Sequence, residues 1–104
     1  MLFRSIRRLC ELMVESNYSA DEISSLIVEK TLPDLHSWHF ILSAGKFLKI
    51  NKIEECNKIL DLITDPLVLK KYYNTYTARA INYSDDIDEM TFCQNFANEL
   101  SKRI

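Results

Sequence analysis

The scarcity of residues that make tight turns is the strongest constraint on how this chain folds. Its 104 residues include one glycine and two prolines. Because β-hairpins depend on glycine and proline at fixed turn positions, a fold of many short strands is excluded. Apolar residues make up 47% of the chain and charged residues 27%, which is typical of globular proteins and excludes wholesale disorder. The length predicts a single helical domain over residues 1–104.

Apolar residues recur at helical spacing in six segments of the chain. Ser19-Ala-Asp-Glu22 fits a capping box at the start of the second segment. Asn17 and Asn51 are expected to end helices, Asp34 to cap the third helix, and Asp65-Pro66 to begin the fifth. The sequence therefore predicts an all-α fold, a compact bundle of about five to six short antiparallel helices with helical-hairpin packing.

The same spacing predicts which side chains the helices bury. The first helix is expected to bury Leu2, Ile6, Leu9 and Met13, the fifth Leu69, Tyr72, Tyr73, Tyr76, Ala80 and Ile81, and the sixth Ile87, Met90, Cys93, Phe96, Ala97 and Leu100. Gly45 lies in the middle of the third helix, where it is expected to permit close approach of a neighbouring helix.

Cysteines and histidines give no metal or redox site. Cys10, Cys56 and Cys93 lie at apolar phases with no C-x-x-C pair, so they are expected to act as small buried hydrophobes in a reducing compartment. His36 and His39 supply only two of the four ligands of a closed zinc site and are expected to be polar surface or helix-start residues. No cofactor is predicted.

Signals for targeting and catalysis are missing from the sequence. No apolar run approaches 18 residues, and the basic start is not followed by the apolar stretch of a secretory signal. These features predict a cytoplasmic protein with no membrane partner. The chain contains no G-x-S-x-G, P-loop, G-x-G-x-x-G or H-E-x-x-H pattern, so no enzyme and no catalytic residue is predicted.

Charge is unevenly distributed along a chain whose formal net charge is −2. Residues 35–84 carry seven basic and four acidic side chains, whereas residues 85–104 carry five acidic and two basic ones. An acidic run opens the last helix, where negative charge complements the helix dipole and could also cover a basic site on another protein. The predicted partner-binding residues are the run itself and two tyrosines: Asp85, Asp86, Asp88, Glu89, Tyr73 and Tyr83.

A second surface hypothesis comes from the fifth helix, which carries three tyrosines near Lys70, Lys71 and Arg79. Aromatic rings and cations on one face are typical of surfaces that bind single-stranded nucleic acid. Tyr72 and Tyr76 occupy the expected core phase, however, and the chain lacks the basic excess of nucleic-acid-binding modules. Nucleic-acid binding is therefore kept as an alternative function.

The segment from Trp38 to Pro66 resembles a single tetratricopeptide-type hairpin. It has a small residue at Ala44, an aromatic one at Phe47 and a turn at Asn51 before the second helix. The alanine usual in the second helix is replaced by Cys56, and no second copy of the pattern follows at a 34-residue offset. The resemblance implies an alternative function as a helical adaptor or scaffold that binds a peptide.

In size and character the chain is similar to the small, mildly acidic, all-helical immunity proteins that neutralise bacterial toxins, including those of contact-dependent inhibition systems. The resemblance carries no motif that could be matched residue by residue. It implies a protein-binding module that inhibits a basic, nuclease-type toxin domain by occluding its active site. Self-association of the chain is left open.

Overall fold

The computed structural model describes residues 3–104, with side chains from residue 5 onward. Within that range the chain forms six α-helices and no strand, which confirms the all-α prediction. Contacts divide the chain into two compact units, one ending at Ile63 and the other spanning Thr64–Ile104. The prediction of a single domain stays a prediction.

The first unit is built from two helical hairpins. One consists of α1 (Phe3–Glu15) and α2 (Ala20–Lys30), and the other of α3 (His36–Lys49) and α4 (Ile53–Leu60). Helix α1 packs on α3, and α2 packs on both α3 and α4. The second unit is a single hairpin of α5 (Pro66–Asn82) and α6 (Ile87–Ser101). Its four-residue connection makes the two helices antiparallel.

The turns of the first two hairpins have the same conformation. Asn17 and Asn51 both adopt positive φ, at 68° and 65°, as expected of residues that end helices. In each turn the following amide donates to the carbonyl five residues back, Tyr18 to Met13 and Lys52 to Phe47. These are Schellman motifs, in which asparagine tolerates the left-handed conformation. The two asparagines are 34 residues apart, so a repeated turn exists although no repeated side-chain pattern reveals it.

The start of α2 holds the two hairpins of the first unit together. The capping box is formed as predicted, with the Ser19 hydroxyl accepting from the Glu22 amide and the Glu22 carboxylate accepting from the Ser19 amide. The next amide, that of Ala20, donates to the Glu55 carboxylate of α4 at 2.6 Å. Lys52 Nζ also donates to Asn17 Oδ1 at 2.7 Å. Both hairpin turns are therefore joined by charge-assisted hydrogen bonds, which are stronger than neutral ones.

The entry into α3 differs from the prediction. Asp34 does not cap this helix; it lies inside a 3₁₀ turn, Pro33–Leu35, and no side chain caps α3. Proline fixes φ at a helical value, so it begins the 3₁₀ turn, and the Leu35 amide closes that turn on the Leu32 carbonyl. The turn runs directly into α3, which leaves no extended residue that could act as a cap.

The core of the first unit includes a histidine that the sequence places on the surface. His39 is 2% exposed, so its prediction as a surface or helix-start residue is wrong. On α1, Ile6 and Cys10 are buried as predicted, and Val14 is buried with them, whereas the predicted Leu9 and Met13 are only half-buried. Leu2, also predicted on this face, lies outside the described residues. All three cysteines are buried thiols outside any disulfide, as predicted.

Three aromatic rings form the centre of the second unit. Tyr76 meets Phe96 edge-on at 4.7 Å between centroids, and Phe92 lies 5.7 Å from Phe96. The predicted burial of Tyr76 and Phe96 is confirmed. Ile81 and Ile87 were predicted in the core but are 72% and 70% exposed. They lie at the two ends of the connection between α5 and α6, beyond the packed centre of the hairpin.

The Glu55 carboxylate is expected to stabilise the first unit through its hydrogen bond with Ala20, 35 residues earlier in the sequence. Replacing Glu55 by Ala leaves the Ala20 amide without its charged acceptor, which should lower the free energy of unfolding by about 1.5–3 kcal/mol. The matched control is Glu54→Ala, which removes an exposed carboxylate from the same turn of α4 and should change stability by less than about 0.5 kcal/mol. Urea denaturation of both variants measures the difference, and equal losses would contradict the role of Glu55.

Candidate functional site

The connection between α5 and α6 is a short turn with helix caps on both sides. Tyr83 ends α5, and its carbonyl accepts from the Asp86 amide at 3.0 Å. The Asp86 carboxylate then accepts from the Glu89 amide and begins α6. This arrangement fixes the backbone of residues 83–86 and sets the positions of the acidic side chains around it.

The four acidic residues have different roles in this turn. Asp86 acts as the N-cap of α6, and Glu89 is half-buried, with an oxygen 3.8 Å from the Cys93 thiol. Asp85 and Asp88 are exposed, and neither caps a helix. Asp86 and Glu89 therefore make contacts that stabilise α6, whereas Asp85 precedes the helix and Asp88 is exposed in its first turn, where its charge complements the helix dipole.

Exposed apolar side chains precede and follow Asp85 in the chain and lie next to Asp88. Ile81 and Ile87 are largely exposed, and Tyr83 between them is 49% exposed. We call Ile81, Tyr83, Asp85, Ile87 and Asp88 the hairpin tip. Exposed apolar side chains that form a patch, rather than being scattered singly, mark interaction sites on protein surfaces.

Tyr73 is not part of the hairpin tip. It lies ten residues before Tyr83, about 15 Å along the axis of α5. Its half-buried side chain borders a groove between α5 and α6, with a volume of about 340 Å³, which we call the α5–α6 groove. The groove is lined by residues of both helices: Tyr73, Thr77, Ala80, Ile81, Gln94, Ala97, Asn98 and Ser101.

Ile81 connects the two features, because it belongs to the hairpin tip and lines the α5–α6 groove. Tyr73, Thr77 and Ile81 are four residues apart and so form one row along α5. Five of the six predicted partner-binding residues therefore lie in the turn between α5 and α6 or in the first turn of α6, and the sixth, Tyr73, lies farther along α5.

The cations of α5 do not form the single face expected of a nucleic-acid-binding helix. Lys70 and Arg79 are nine residues apart, which is half a turn around the helix. Arg79 lies over the Tyr76 ring, 5.1 Å from its centroid, and Lys71 lies 5.4 Å from the Tyr72 ring. Burial raises the pKa of Tyr76, and the Arg79 charge only partly opposes that rise. The buried Tyr76 ring is not available for stacking on a base.

The first unit contains a buried polar group that sequence reasoning missed. Cys10, His39 and Ser43 line a small crevice between α1 and α3 and are nearly inaccessible to solvent. Burial raises the pKa of the Cys10 thiol, with the Ser43 hydroxyl opposing the rise and Glu11 adding to it. A neutral, buried thiol is a poor nucleophile. The four-residue spacing from His39 to Ser43 was the available signal, but it is too common to single out.

Comparison with models of known protein families, with curated proteins and with solved structures finds no match to this chain. None of the helices described has the length and apolar character that crossing a bilayer requires. In residues 3–104 no group of three or more His, Cys, Asp and Glu side chains is arranged to hold a metal ion.

His39 should make the stability of the chain depend on pH. Burial and the nearby His36 lower the pKa of His39 below its usual 6.5. The unfolded chain therefore takes up this proton more readily than the folded chain, and stability should fall as pH drops below about 6.5. The fall should level off once the folded state is also protonated.

Urea midpoints measured between pH 7.5 and pH 5 test this linkage. The variant His39→Gln should lose this part of the decline, even if it is less stable than the wild type at every pH. An unchanged slope in the variant would show that His39 is not responsible.

Proposed function

We propose that the chain is a protein-binding module that contacts its partner through the hairpin tip. The observation that carries this proposal is the presence of two exposed, non-capping carboxylates, Asp85 and Asp88, beside the exposed side chains of Ile81, Tyr83 and Ile87. Apolar and aromatic anchors supply most of the affinity in protein interfaces. Charged groups at their edge govern the rate of association and the choice of partner.

The charge of the hairpin tip favours a basic partner. Carboxylates facing a cationic surface accelerate encounter and reject acidic partners. Their oxygens can also take the place of phosphate oxygens in the phosphate-binding site of a nuclease. A basic toxin domain of the nuclease type meets both conditions, and the resemblance in size and character to toxin-immunity proteins supports it. Inhibition would follow from the tip occluding the cationic cleft, without any chemical step.

Rigidity of the turn also supports this role. Tyr83 and Asp86 are held by backbone and side-chain hydrogen bonds at the ends of two helices. A surface that is already ordered loses less conformational entropy on binding than a flexible loop of the same composition. The tip therefore meets one requirement of a tight inhibitor, a binding surface that is ordered before the partner arrives.

Charge reversal at the hairpin tip should slow association with the partner. The double variant Asp85→Lys/Asp88→Lys retains the Asp86 cap, so it changes the tip without removing a helix cap. Association with a nuclease toxin domain that the wild type binds is measured by stopped flow at low salt. The rate should fall several-fold, and its dependence on salt concentration should become weaker. The probes are purified basic nuclease toxin domains, tested for both binding and loss of RNA hydrolysis.

The matched control is Glu29→Lys/Asp34→Lys, which makes the same change in net charge at exposed positions of the first unit. It should leave the association rate close to that of the wild type. Equal slowing by both double variants would show that net charge acts alone and would exclude the tip as the contact. Failure of every domain to bind would exclude the nuclease-toxin partner.

The adaptor function has one specific observation in its favour. The two hairpins of the first unit share the same turn, 34 residues apart, and are joined through Lys52 and Asn17. Stacked hairpins with equivalent turns are the architecture of helical repeat proteins, which bind peptides along their helices. An adaptor would contact its peptide through the first unit, so hydrogen exchange would show protection on α1 and α3 and none at the hairpin tip.

A further inference from the structure

We propose that the α5–α6 groove receives an amphipathic helix of the partner, with the cationic end of that helix at the hairpin tip. This inference rests on the proposed function, because it extends the contact from the tip along the adjoining helix face. It adds the secondary structure of the partner segment, its direction of charge and the residues on which it lies.

The floor of the α5–α6 groove is formed by small side chains. Ala80 and Ala97 are almost buried and lie at the bottom, between the two helices. Alanine at these positions leaves room above it, so a third helix can approach closely and pack into the groove between the ridges. Larger side chains at the same positions would fill the space of about 340 Å³ that the groove encloses.

The walls of the groove have the length and spacing of a helix-binding surface. Tyr73, Thr77 and Ile81 form the wall on α5 and extend over about 12 Å, or roughly two turns of a helix. On the other side, Ile87 lies seven residues before Gln94 and continues the row that Gln94 and Asn98 form along α6. A helix bound between these walls would present apolar anchors at one- and two-turn spacing, as in helix-in-groove recognition.

Polar groups on the walls suit a helix with one polar edge. The amides of Gln94 and Asn98 and the hydroxyls of Thr77 and Ser101 line the groove alongside the apolar residues. These groups can bond to the polar side chains that flank the apolar stripe of an amphipathic helix. A wholly apolar segment would leave them without partners, which costs free energy at each buried group.

Charge determines which end of the occupant lies at the tip. Asp85 and Asp86 lie in the turn that closes one end of the groove. Lys70, seven residues before Thr77, lies on the same face at the open end, where α5 begins. The groove therefore has an acidic end and a basic end, and it is complementary to a helix with lysine or arginine toward the tip. An acidic or phosphate-rich occupant would place its charge against these carboxylates.

The experiment uses the full chain and two synthetic amphipathic peptides of about 18 residues, long enough to form a marginal helix. Both carry leucine at one- and two-turn spacing. One ends in a cluster of lysines, and the other has glutamates in place of those lysines. Titrations are followed by fluorescence anisotropy and by amide chemical shifts of the labelled chain.

The expected result is binding of the lysine-ended peptide at least about tenfold tighter than the glutamate-ended one. Its chemical-shift changes should follow Tyr73, Ile81, Gln94 and Asn98. Thr77→Arg places a bulky cation on the wall of the groove and should weaken binding about tenfold or more. The matched control is Ala78→Arg, which adds the same side chain at an exposed position on another face of α5 and should change the affinity less than about twofold. Circular dichroism verifies that both variants keep their helices.

Four results would overturn the inference. Equal binding of the two peptides would contradict the predicted orientation of charge in the groove. Chemical-shift changes confined to the first unit would place the contact elsewhere. Self-association of the chain, seen by sedimentation and lost in Thr77→Arg, would show that a second copy occupies the groove. If the tip double variant weakens binding of a basic domain but Thr77→Arg does not, the proposed function stands and the groove inference fails. If the peptide binds in the groove but no basic domain binds the chain, the groove inference stands and the proposed function fails.

Discussion

The first unit depends on how the amide groups at the start of α2 are satisfied. The first amides of any helix lack partners within it, and burying them unpaired is costly. Here the Ser19 and Glu22 side chains satisfy two of these amides locally, and the Glu55 carboxylate of the next hairpin satisfies that of Ala20. The hydrogen bond from Glu55 therefore does two things at once: it completes a helix cap, and it fixes α4 against α2.

Local rules predict most of the secondary structure and much less of the packing. The capping box, the Asp65-Pro66 start and the asparagine turns follow from residue types at fixed spacing, and the structure confirms them. The start of the third helix is not predicted by these rules, because Pro33 begins a 3₁₀ turn that makes a cap at Asp34 unnecessary. The contact between Ala20 and Glu55 spans 35 residues, and nothing in the local sequence of either one indicates the other.

The candidate site, like the packing of the helices, is only partly predictable from the sequence. Periodicity places Ile81 and Ile87 on the apolar faces of their helices, but it does not show that these faces extend past the packed centre of the hairpin. Both side chains are consequently exposed. The acidic run is visible in the sequence, whereas the different roles of its members depend on geometry: Asp86 caps α6, Asp85 precedes the helix, and Asp88 is exposed in its first turn. Tyr73 and the groove beside it could be located only after α5 and α6 were paired.

The distribution of the buried cysteines has a practical consequence for studying how the chain opens. Cys10 and Cys56 lie in the first unit and Cys93 in the second, and all three are inaccessible in the folded state. A thiol-modifying reagent can reach each of them only when the surrounding helices separate. Mass spectrometry of the order in which the three sulfur atoms are alkylated would thus report, without any introduced label, whether the two units unfold together or one after the other.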